Sequence, residues 1–61
     1  MTAKKLIRLL QKNGFVFARQ SGSHAIFKSE SGKRKVVVPI HNKDIPIGTL
    51  HAILKDAGIN I

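Results

Sequence analysis

Cysteine, tryptophan and tyrosine are absent from this sequence, and acidic residues number only three. Each shortage removes an explanation. Without cysteine there is no disulfide staple of the kind small secreted domains rely on, so a reducing cytoplasm is the expected compartment. No run approaches the roughly 20 apolar residues that span a bilayer. Arg8 and Lys12 interrupt what would have to be the apolar core of a signal peptide. The expectation is a protein neither exported nor embedded, with no membrane partner. Lack of tryptophan and tyrosine leaves little sign of a platform for stacking single-stranded bases.

What is abundant is positive charge. Eleven Lys and Arg against three acids give a net +8 over 61 residues. Such an excess repels itself on a compact surface and usually answers to a polyanionic partner, nucleic acid first and an acidic protein second. The cations run from Lys4 to Lys55, so a folded surface carries them and not a tail. An apolar fraction of 43% argues for a globular chain. A chain this short holds one domain, 1–61, with a thin stability margin.

Periodicity gives the elements. Ala3, Leu6, Ile7 and Leu10 lie on one stripe of a helix over Ala3 to Asn13, with Lys5, Arg8 and Lys12 toward solvent. Thr2 suits its N-cap, and Gly14 the left-handed residue past its end, folding Phe15 back onto Leu10 in a Schellman-type stop. Strands are expected over Phe15–Gln20, His24–Lys28 and Lys33–Val38, with breaks at Ser21-Gly22-Ser23 and Ser29-Glu30-Ser31-Gly32 and a stop at Pro39. Short turns require antiparallel pairing. Ile40 to Ile45 reads as a loop and Pro46 as first-turn residue of a helix carrying Ile47, Leu50, Ile53, Leu54 and Ala57 inward. Gly58 ends that helix, with Ile59 closing back on Leu54. The expected fold class is α+β: an α-β-β-β-α two-layer sandwich with a three-stranded antiparallel sheet and both helices on one face. Phe15 and Phe27 belong in its core, whereas Phe17 is open between packing and base stacking.

His24 is the first candidate for chemistry, because an imidazole exchanges protons near neutral pH. RNA supplies its own nucleophile, the ribose 2′-hydroxyl, so a histidine and nearby cations suffice to cleave it. Residues alone leave open a solvent-facing histidine that binds without reacting. Gly22 and Ser23 precede it in a tight turn whose free N–H groups suit a phosphate oxygen, or which is ordinary hairpin chemistry. Ser23 is a poor nucleophile for His24 to activate, since adjacent strand residues face opposite ways. Arg19 and Lys28 are candidate phosphate contacts. Lys33, Arg34 and Lys35 are candidates for sequence-independent backbone attraction, as are the cations of the first helix. His41 is either a second proton-transfer group or a loop residue, and His51 faces solvent. No metal is expected: the histidine and carboxylate spacings match no recognised ligand set. No cofactor is expected either.

The element order, the basic surface and the pieces Gly22-Ser23-His24, Val38-Pro39-Ile40-His41 and Gly48-Thr49-Leu50, followed by Ile53-Leu54-Lys55 and Ala57-Gly58-Ile59, resemble the HicA toxin family over nearly the whole chain. The resemblance implies a fold like the double-stranded-RNA-binding domain and ribosome-independent cleavage of mRNA. It also implies that the histidine of the Gly-Ser-His motif is catalytic and that a HicB-type antitoxin neutralises the protein. The expectation is therefore metal-independent transesterification with His24 as general base or acid, on a surface covered by an acidic antitoxin. The alternative is a non-catalytic module that holds structured RNA by shape. A structural component of a ribonucleoprotein also suits the charge but leaves the Gly-Ser-His motif without a role.

Overall fold

The computed structural model describes residues 1–40 and 44–60. Its elements are α1 (Ala3–Lys12), β1 (Phe15–Ser21), β2 (His24–Ser29), β3 (Lys35–Pro39) and α2 (Ile47–Ala57). The strands form one antiparallel sheet in the order β1-β2-β3, as the short turns require. One face of it is buried: Phe15, Ala25, Phe27, Val36 and Val38 pack with Ala3, Leu6 and Leu10 of α1 and Leu50, Ile53, Leu54 and Ala57 of α2. Both helices thus lie on one side, and the other sheet face is left to solvent. This is the expected α-β-β-β-α sandwich.

The helix ends follow from local chemistry. Thr2 caps α1, with its Oγ1 accepting from the Lys5 N–H at 3.2 Å. Past the other end Gly14 takes φ +85°. The closing bonds there are short-range, Asn13 N–H to the Leu10 carbonyl and Gly14 N–H to that of Gln11. Asn13 is a cap and not a helical residue, its side chain donating to the Leu9 carbonyl at 2.8 Å. The six-residue Schellman bond belongs to α2, where Ile59 N–H reaches the Leu54 carbonyl at 2.9 Å across Gly58, whose φ is +72°.

Several boundaries differ from the periodicity: β1 and β2 each run one residue further than expected, to Ser21 and Ser29. β3 starts at Lys35, two residues late, because Ser29 Oγ accepts from the Arg34 N–H at 3.1 Å and the turn takes in Lys33 and Arg34. Pro39 closes β3 from within, paired with His24; on an edge strand its missing N–H costs no ladder bond. Ile47 does not face inward and is 73% exposed. Ile45 takes the core position instead, its N–H bonded to the Met1 carbonyl at 2.9 Å. Pro46 is accordingly the N-cap of α2 and not part of its first turn.

Two glycines of similar look should respond oppositely to alanine. A Cβ on Gly58 would sit 2.9 Å from the Arg34 guanidinium carbon on a left-handed backbone, so Gly58→Ala is expected to cost about 1–2 kcal/mol. Gly48 lies in α2 with open space around it, and Gly48→Ala should stabilise by up to about 1 kcal/mol. Urea denaturation of the two variants checks the opposed signs.

Candidate active face

β1 and β2 are joined by a two-residue turn, Gly22-Ser23, with Ser21 and His24 as the closing pair. Only Gly22 takes positive φ, +58°, which is the type II′ arrangement that matches strand twist and favours glycine at the first turn position. The turn is tied down on both sides. Gln20 Nε2 donates to the Gly22 carbonyl at 3.0 Å, and the Ile40 N–H donates to the Ser23 carbonyl at 2.6 Å. Among the described residues no acceptor takes the Gly22 or Ser23 N–H. His24 therefore begins β2 at a defined point, exposed and flanked by Ser21 and Pro39.

A bulge decides what joins it. Phe17 pairs with Phe27, but Arg19, not Ala18, pairs with Ile26. From Phe15, strict alternation would put Arg19 on the helix-covered face. The extra residue at Ala18 reverses the parity, so Arg19 and Ser21 share the open face with His24. That face carries three cross-strand rows: Ser21, His24 and Pro39; Arg19, Ile26 and Val37; Val16, Lys28 and Lys35. Ile26, at the centre, is 8% exposed although it lies outside the core cluster between helices and sheet. Arg19 stands diagonal to His24, at a spacing of about 7–8 Å that a long side chain bridges. Lys28 and Lys35 lie directly opposite each other, a pairing of like charges that is destabilising without an anion between them. None of the nine positions is acidic.

The other expected site residues are distributed differently. The triplet Lys33-Arg34-Lys35 is divided. Lys35 is on the open face, Lys33 is in the turn with its N–H toward Ser31 Oγ at 3.4 Å, and Arg34 is committed to the helix layer. Arg34 Nη1 donates to the Asp56 carbonyl at 3.1 Å, a cation at the C-terminal end of α2 where the helix dipole favours it. Arg34→Ala should consequently lower the melting temperature, whereas Lys35→Ala, which removes a like-charge contact, should not; thermal melts separate the two. Phe17 pairs with Phe27 on the helix side, edge-to-face at 5.7 Å and half exposed, so it does not share the His24 face. His51 is exposed beside a 490 Å³ cavity with Leu54, Lys55 and Ile59, at the end of α2. His41 lies outside the described residues. Ser21, which alternation had not singled out, is the cross-strand neighbour of His24; the two-residue turn was the signal for it.

Among the described residues no group of histidines and carboxylates could hold a metal ion, and no helix is long and apolar enough to cross a membrane. The family model described as HicA toxin of bacterial toxin-antitoxin matches residues 3–59. The chain belongs to the HicA toxin family. No curated protein matches it. As a HicA toxin it is one half of a toxin–antitoxin pair, and its partner is an antitoxin. The match takes in every element from α1 to α2 and the whole open face, Gly22-Ser23-His24 included.

Proposed function

We propose that this HicA toxin is an mRNA endoribonuclease whose working surface is the open sheet face, with His24 as general base or acid. One observation supports this above all: an exposed histidine at a tight turn, with Arg19 diagonal to it and Lys28 and Lys35 further along the same acid-free face. In the base role, neutral His24 takes the proton of a ribose 2′-hydroxyl as that oxygen attacks the adjacent phosphorus. The P–O5′ bond breaks, leaving a 2′,3′-cyclic phosphate and, after proton uptake, a 5′-hydroxyl. Arg19 and the N–H groups of Gly22 and Ser23 hold the phosphate whose charge grows in the transition state. Lys28, Lys35 and Lys33 attract the flanking backbone. Because the nucleophile belongs to the RNA, no metal-bound hydroxide is required.

The antitoxin is of HicB type and acidic where it meets this face, so that charge complementarity speeds its capture of the toxin. Toxin, antitoxin and mRNA meet in the cytoplasm. The test is incubation of the purified protein with a single-stranded RNA in EDTA, followed by end-group analysis. Cuts bearing 2′,3′-cyclic phosphate support the reading. Binding without cutting would replace it with the non-catalytic RNA-binding module.

A further inference from the structure

The sequence contains no acidic residue before Glu30, so α1 holds no acid of its own; Glu30, whose N–H bonds the Gly14 carbonyl, and Asp44, next to Ile45 on the Met1 carbonyl, come only to its two ends. Lys4, Lys5, Arg8 and Lys12 are all exposed on it. With 100° between successive residues, the four lie within about 50° of the direction opposite the buried stripe of Ala3, Leu6 and Leu10. Lys4 with Arg8 and Arg8 with Lys12 are like-charge pairs at i,i+4, which destabilise a helix. Lys4 and Lys5 also occupy the first turn, where the helix dipole favours acids and none is present. Lys12, in the last turn, is favoured by the dipole, but the like-charge pairs and the first-turn lysines are a cost to a merely solvated helix; a bound polyanion offsets that cost.

We propose that the outer face of α1 is a second nucleic-acid surface, which grips the phosphate backbone of RNA on the side of the molecule away from His24. α1 packs through its buried stripe onto the covered side of the sheet, so its cations point away from the open face. They stand at successive levels about one turn, or roughly 5–6 Å, apart. A regularly charged polymer such as the phosphate backbone meets such levels in sequence. The surface follows from α1 alone; the choice of RNA rests on the function proposed above. A partner seated on the sheet face leaves this second surface accessible, so the neutralised complex retains affinity for RNA.

The test uses a 2′-O-methyl oligoribonucleotide, which lacks the attacking hydroxyl, so binding is measured whether or not the protein is a nuclease. In the variant Lys4→Gln, Lys5→Gln, Arg8→Gln, Lys12→Gln, the slope of log affinity against log salt is expected to flatten by roughly 2–3, at about 0.7 for each phosphate that is no longer neutralised. Its melting temperature should equal or exceed that of the native protein, because like-charge repulsion is relieved. Arg19→Gln with Lys28→Gln and Lys35→Gln should flatten the slope independently. An unchanged slope in the α1 variant overturns the proposal, as does a lowered melting temperature, which would make the cations structural. Loss of binding to polyglutamate with RNA binding intact would also overturn it, in favour of an acidic protein.

Discussion

His24→Ala should reduce RNA cleavage by about 10²–10⁴-fold, the usual contribution of a positioned general acid or base, while leaving the fold and RNA affinity nearly intact. The side chain is exposed at the start of β2, so its removal opens no cavity and strands no buried partner. The neighbouring backbone is held independently of it, by Gln20 Nε2 on the Gly22 carbonyl and Ile40 N–H on that of Ser23. Cleavage rates at saturating RNA, with binding measured on the 2′-O-methyl substrate, distinguish the outcomes. A variant that binds and cuts like the native protein would remove His24 from the mechanism; one that neither binds nor cuts would make it an RNA-binding group and not a proton carrier.

Leu6→Ala carries the other large effect, this time on stability. Leu6 is fully buried in the cluster where both helices meet the sheet. Truncating a buried leucine costs about 2–5 kcal/mol, through forfeited transfer energy and the cavity left behind. At roughly 0.05–0.15 kcal/mol per residue, a domain of this length has only about 3–9 kcal/mol to lose. The variant should melt on the order of 10–30 °C lower, and at the lower end of native stability it should be unfolded at 37 °C. Circular dichroism melts check this. A shift of only a few degrees would mean that the site collapses around the smaller side chain.

Those two substitutions act on opposite faces of one sheet, and the chain's local pattern announces both faces. Alternation in Ala25, Phe27, Val36 and Val38 marks the covered side. The 3.6-residue stripes of α1 and α2 mark what covers it. Thr2 and Gly58 mark helix ends through chemistry that involves only near neighbours. Short turns at Gly22-Ser23 and after Ser29 left antiparallel order as the only pairing. The pattern misled in two ways: nearby, Ser29 holds Arg34 in the turn and delays β3, and across the fold Ile45, its N–H on the Met1 carbonyl, takes the core position expected of Ile47.

The candidate site divides along the same line. That His24 is reactive in type, placed behind Gly22 and Ser23 and set in a strongly basic chain was legible from composition and order, since side-chain chemistry and turn preference are local properties. Of the cations that share its face, Lys28 was legible too, four residues on in the same strand; the placing of Arg19 and Lys35 was not. Period-two counting assigns Arg19 to the buried side, and only the bulge at Ala18, a property of how β1 pairs with β2, turns it toward His24. Likewise Lys33, Arg34 and Lys35 are equivalent charges along the chain, yet the docking of α2 takes Arg34 to the Asp56 carbonyl and leaves Lys35 opposite Lys28. Elements and chemistry follow from residues close in sequence; their convergence on one surface depends on interactions between residues far apart in it.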